Sequence, residues 1–139
     1  MKIIKSLLIA GSLFLGAAHA APSDFLVSTD WLEKNISNPK LRLIEVSVNP
    51  GVFERAHIPG AVNFEWHTDL VDTVRRDIAS QQNFEKLLRN AGINNDSTIV
   101  LYGDTNNWFA AWGAWVFDIY GVKDVKLLDG GRKKWETEN

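Results

Sequence analysis

The sequence predicts an α/β fold, a central and mainly parallel sheet with helices on both faces. Three observations carry that expectation. Segments of strand character alternate with segments of helical character from residue 28 onward. The apolar residues at 41, 43, 44, 46 and 48 do not alternate cleanly with polar ones, which suits a strand covered on both faces. Pro39, Gly92, Gly121 and the pair Gly130-Gly131 punctuate the segments.

Ser28 caps a helix through Trp31, Leu32 and Glu33, with Asp30 and Glu33 near its positive end. Asn38-Pro39 stops that helix. Leu41 to Val48 is rich in branched residues and reads as a strand. Ile58-Pro59-Gly60 is a turn, and Ala61 to Phe64 a short strand. His67 to Ile78 is the least regular stretch and is expected to be a surface excursion. Ser80 caps the next helix, in which Phe84, Leu87, Leu88 and Ala91 share one face and Gly92 ends the run. Thr98 to Tyr102 is a second central strand. A polar loop follows at 103–107, then a helix from Trp108 to Tyr120 that stops at Gly121. Val125 to Leu128 is a further strand, Gly130-Gly131 a turn, and the chain from Arg132 helical again.

The first twenty residues read as a secretory leader. Lys2 and Lys5 precede an apolar run from Ser6 to Ala18, and Ala18-His19-Ala20 is a small-x-small cleavage site. The run is shorter than the roughly 20 residues a membrane-spanning helix needs. The expected product is a single domain, 21–139, exported and periplasmic, with no membrane segment after cleavage. Acidic residues number 17 against 15 basic ones, and two of the latter lie in the leader. That balance argues against a nucleic-acid partner. There is no cysteine, so stability rests on packing rather than disulfides, and six tryptophans supply large apolar surfaces.

In an open parallel sheet, ligands bind beyond the carboxyl ends of the strands. The loop after Tyr102, running straight into a helix N-terminus, is the place where backbone N–H groups and the helix dipole could hold an anion.

Several separate motifs bear on this loop. The segment Phe53-Glu54-Arg55-Ala56-His57-Ile58-Pro59-Gly60-Ala61, and Leu127-Leu128-Asp129-Gly130-Gly131 with Trp135, resemble the two signature regions of rhodaneses. The run from Tyr102 to Trp112 is similar to the first, cysteine-lacking domain of two-domain thiosulfate sulfurtransferases. The resemblance spans Phe25 to Asn139. It implies a rhodanese-like fold and a persulfide chemistry carried by a cysteine that opens the loop after the strand. Laid on this chain, that loop comprises Gly103, Asp104, Thr105, Asn106, Asn107 and Trp108. Gly103 stands at the cysteine position, or Asp104 if the register moves by one. Neither is a thiol, and no Lys or Arg lies between Gly92 and Lys123. A persulfide needs a thiolate, so no catalytic residue, cofactor or metal is carried over. The expected partner is a Cys-bearing second rhodanese domain or a separate chain that supplies one. The alternatives are a non-enzymatic binding or regulatory module of the exported compartment, and a hydrolase using Asp104.

Other residues carry narrower expectations. His57 is expected to hydrogen-bond loop backbone rather than act as a base. His67, Asp69 and Asp72 form a weak metal pattern on a charged loop. Trp108, Trp112 and Trp115 make one helical stripe, expected to be packed in the core, with a docking surface for a partner domain as the alternative. Glu45 and Arg55 could form an ion pair across the strand ends, or stand as separate charges.

Overall fold

The computed structural model describes residues 24–139. The leader at 1–20, its cleavage and a start at Ala21 lie outside the described residues. Five strands form one sheet, in the order β1 (Leu26–Val27), β7 (Val125–Leu128), β6 (Thr98–Tyr102), β2 (Leu41–Glu45), β3 (Val62–Asn63), and every neighbouring pair is parallel. This is the α/β architecture the alternation predicts. The central pair runs in register from Leu41 opposite Thr98 to Glu45 opposite Tyr102.

Side-chain alternation along β6 explains the two-sided cover. Ile99 and Leu101 join a core with Ile44, Phe64, Phe84 and Phe117, beneath α3 (Gln81–Asn90) and α4 (Trp108–Ile119). Val100 and Tyr102 face the opposite way, onto Leu32, Leu43, Ile58 and Leu128. Leu32 belongs to α1 (Thr29–Asn35), and Trp135 of α5 (Gly131–Glu138) packs against the same cluster. The caps fall where expected. Ser28 Oγ accepts from Trp31 N at 3.1 Å, and Ser80 Oγ from Asn83 N at 3.3 Å.

The structure differs from the sequence expectations at several places. The strand read from Leu41 to Val48 ends at Glu45, although Val46 N still donates to Tyr102 O at 2.8 Å. The helix read to Tyr120 ends at Ile119, with Tyr120 as its cap. The short edge strand β1 and the one-turn helix α2 (Val52–Arg55) are additional elements. Both are too short to carry a periodic signal.

The stretch His67 to Ile78 lies mostly at the surface, as expected, but it is not irregular. Leu70 is fully buried, and a hairpin follows, β4 (Val71–Asp72) paired antiparallel with β5 (Asp77–Ile78). The Asp72 carboxylate accepts from Val74 N and Arg75 N, which holds the turn. The Asp69 carboxylate accepts from Glu65 N at 2.8 Å. Both aspartates of the weak metal pattern thus serve backbone turns.

Candidate functional site

Parallel strands β2 and β6 deliver Glu45 and Tyr102 side by side at the carboxyl edge of the sheet. Glu45 is fully buried. A carboxylate in that position is tolerable only with several donors, and three converge on it. Tyr102 Oη donates to its Oε2 at 2.6 Å, Ser47 Oγ to its Oε1 at 2.6 Å, and Arg132 Nη1 to its Oε1 at 2.9 Å. The expected pairing with Arg55 is not made. Arg55 donates instead to Pro50 O, because α2 turns it back along its own loop. Arg132 takes the place because α5 starts against the sheet edge, and its Nε also donates to Glu136 at 2.8 Å.

The network extends in two directions. Tyr102 Oη accepts from Ile58 N at 3.0 Å, tying the Ile58-Pro59-Gly60 turn to the strand ends. Burial, reinforced by the bond to Glu45, holds the Tyr102 phenol well above its ordinary pKa. Ser47 Oγ accepts from Asp104 N at 3.1 Å and so anchors the loop after β6. His57 lies outside the network. Its ring stacks on Phe53 at 3.8 Å between centroids, and its Nδ1 sits 2.9 Å from Phe53 O.

That loop, residues 103–108, does not present the ring of free amides that a strand–loop–helix junction suggests. Gly103 N donates to Asn107 Oδ1 at 2.9 Å, Asp104 N to Ser47 Oγ, Asn107 N to Asp104 O at 2.9 Å, and Trp108 N to Thr105 O. Four of the six amides are therefore engaged within the protein. Thr105, Asn106 and Asn107 all adopt left-handed backbone, with φ of 48°, 55° and 62°. Such a run of non-glycine residues persists only where surrounding bonds over-determine it. Asn107 supplies the clamp. Its side chain is buried, accepts from Gly103 N and donates to Leu128 O at 2.6 Å.

Gly103 itself has no room for a side chain. A Cβ there would lie 2.2 Å from Val46 O. A cysteine at 103 would need the backbone of β2 or β6 to move, so this glycine is a packing requirement of the fold. Asp104, the other register, ties its carboxylate to the loop after β2. It accepts from Val48 N at 3.1 Å, Asn49 N at 2.9 Å and Asn49 Nδ2 at 2.6 Å. Its negative charge is thus taken up by the loop after β2. Gly131 is equally constrained, since a Cβ would meet Asn107 Oδ1 at 2.2 Å. Its absence lets α5 approach closely enough for Arg132 N to donate to Gly103 O at 3.1 Å.

A hollow of about 630 Å³ opens over this loop, bordered by Arg55, Asp104, Asn106, Arg132 and Lys133 among others. The loop carries no cation, yet the hollow is not without them. Arg55 comes from α2, and Arg132 and Lys133 from α5. Their contribution is invisible in the local sequence because it arrives from 48 residues before and 29 residues after Gly103. Among the described residues no group of His, Cys, Asp and Glu could hold a metal ion.

The Trp stripe divides. Trp112 is half-buried, 5.6 Å from the Trp66 ring, whereas Trp108 is 72% and Trp115 53% exposed. Core packing, expected for the whole stripe, is thereby overturned for two of its three members. The helix meets the sheet through smaller residues, Ala110, Gly113 and Ala114, together with Val116 and Phe117. Apolar character all round α4 leaves one apolar side facing water.

Comparison with known proteins agrees with this architecture. Residues 28–138 match the model of the rhodanese-like domain. A Mycolicibacterium smegmatis protein assigned as a thiosulfate sulfurtransferase is 54% identical over 118 residues, which are 85% of this chain and 43% of that protein. The sulfur carrier protein TtuD of Thermus thermophilus is 46% identical over 124 residues, 89% of this chain and 42% of that protein. Among solved structures, the 3-mercaptopyruvate sulfotransferase SseA of Escherichia coli superposes with a TM-score of 0.71 at 28% identity, over 82% of this chain and 48% of that one. The chain spans less than half the length of these curated relatives. On the fold, the two signature segments and these matches together, the chain belongs to the rhodanese-like family.

Proposed function

We propose that this chain is the non-catalytic half of an exported thiosulfate sulfurtransferase, one that moves sulfur from thiosulfate to cyanide or a thiol acceptor. A Cys-bearing rhodanese domain, in the same longer product or a separate chain, supplies the thiolate. The observation that carries the reading is the loop at 103–108. It has no thiol, its first position has no space for a Cβ, and four of its six amides are already engaged. Sulfur transfer of this kind needs a nucleophile and donors directed at its developing charge; this loop has no nucleophile and keeps only two of its six amides outside its internal bonds. Relatives that carry the name of sulfurtransferases or sulfur carriers are more than twice the matched length, which leaves room in them for another domain. Export rests on Lys2, Lys5, the apolar run to Ala18 and the Ala18-His19-Ala20 site.

The test is thiocyanate formation from thiosulfate and cyanide by the purified chain. No turnover above the uncatalysed reaction is expected, and turnover should appear when the Cys-bearing half is joined to it. Sustained turnover by the chain alone would overturn the reading. Intact mass of the native protein from the exported fraction checks compartment and length together.

A further inference from the structure

Positions 108, 112, 115 and 119 fall within one narrow arc of α4, given 3.6 residues per turn. Trp108, Trp115 and Ile119 along it are 72%, 53% and 45% exposed. A whole Trp presents on the order of 250 Å², so the two rings alone show roughly 300 Å² of aromatic surface to water. The largest apolar patch on a typical monomer covers about 300–600 Å² and is often functional. Beside Trp115 lies a second feature. A hollow of about 430 Å³ opens between α4 and the β4–β5 hairpin, walled by Trp66, Val71, Ile78, Trp112 and Trp115, with Thr73, Arg76 and Asp77 of the hairpin also lining it. Stripe and hollow share Trp115, so they form one continuous surface.

We propose that this face of α4 is the docking surface for a second rhodanese-like domain, with an apolar side chain of that domain seated in the Trp66–Trp112–Trp115 hollow. The inference rests on the reading above, in which a Cys-bearing half completes the protein. Two observations argue for that occupant. The relatives each hold more than half their length outside the matched region, enough for a domain of similar size. The stripe also begins at Trp108, directly after a loop whose residues 103–106 line the 630 Å³ hollow, so a domain seated on it meets the edge of that hollow. A standard interface covers about 800 Å² on each partner. The stripe supplies the apolar centre, where Trp residues dominate binding, and that hollow supplies a polar rim.

The test uses hydroxyl-radical footprinting, read as oxidation of individual tryptophans by mass spectrometry. This chain is compared alone and in place of the matched half of the M. smegmatis relative, with Trp108→Ser and Trp115→Ser versions of both. Alone, Trp108 and Trp115 should oxidise fastest of the six. In the two-half protein their oxidation should fall several-fold, and the Ser variants should convert one unfolding transition into two. Unchanged oxidation of Trp108 and Trp115 in the two-half protein would overturn the proposal. So would protection of the same residues in the isolated chain, accompanied by dimer sedimentation, since the occupant would then be a second copy. Thiocyanate formation by the two-half protein reports separately on the function. Activity with exposed tryptophans sinks the docking surface alone, whereas protection without activity sinks the sulfurtransferase reading alone.

Discussion

The loop at 103–108 and the outer face of the helix it enters are adjacent in sequence and opposite in character. Most polar devices of the loop are turned inward. Asp104 caps the loop after β2, Asn107 ties Gly103 to Leu128, and Ser47 holds an amide that could otherwise have met a ligand. On the helix the large apolar groups are turned outward, at Trp108, Trp115 and Ile119. The contrast teaches where this domain keeps its capacity to bind. Buried polar groups must be satisfied or they cost stability, and the loop satisfies them internally. Exposed tryptophans carry no such obligation, and they leave surface energy available to a partner.

The sharpest way to break the comparison is to remove the buried charge beneath the loop. Glu45→Ala leaves Arg132, whose side chain is only 12% exposed, without its buried counter-ion. Removing one member of such a pair costs about 3–5 kcal/mol, measured as a drop in urea midpoint at constant slope. A loss below about 1 kcal/mol would show that the network is ornamental rather than structural.

Next in size is Gly103→Ala. Its Cβ would overlap Val46 O, and overpacking of this kind costs up to about 3 kcal/mol, here directed at backbone that cannot rotate away. Thermal unfolding of the variant, with circular dichroism to verify the fold, checks this. A neutral result would reopen position 103 as a vacated cysteine site.

Tyr102→Phe is expected to be milder, about 1–2 kcal/mol at neutral pH, since Glu45 loses a buried donor and Ile58 N its acceptor. It also carries a pH signature. The folded phenol has a raised pKa, so the wild-type protein retains its full contribution below the unfolded value near 10. Above roughly pH 10 the unfolded chain releases the proton first, and stability declines. The decline should be shallower in Tyr102→Phe, and identical slopes would remove Tyr102 from the account.

Trp115→Ser closes the series. Exposed as it is, the residue should contribute within about 0.5 kcal/mol to the stability of the isolated chain. A larger loss would mean that the outer face of α4 is part of the core after all.

Strands β2 and β6 were legible because both run as branched apolar segments between breakers, and Ser28 and Ser80 announced the helix starts through ordinary capping chemistry. The β4–β5 hairpin was hidden, since two-residue strands carry no period and a charged segment looks solvated until Leu70 is seen to anchor it. The partner of Glu45 was equally hidden. Arg55 is near it in sequence, but Arg132 is 87 residues away and reaches it only because α5 begins beside the same sheet edge. Arg132 and Lys133, which border the hollow, were hidden for the same reason, whereas Arg55 was legible at the strand ends.

What the sequence determined by itself is local or compositional. The alternation of periods set the parallel α/β class, the two signature segments gave the family resemblance, and the absence of cysteine excluded a persulfide on this chain. What only the tertiary structure decided is directional. It turned Asp104 toward β2's loop, denied Gly103 a side chain, engaged four of the loop amides, and sent Trp108 and Trp115 outward while Ala110, Gly113 and Ala114 faced inward. Composition states which groups a chain holds, but which way each one points depends on what packs against it from elsewhere in the fold.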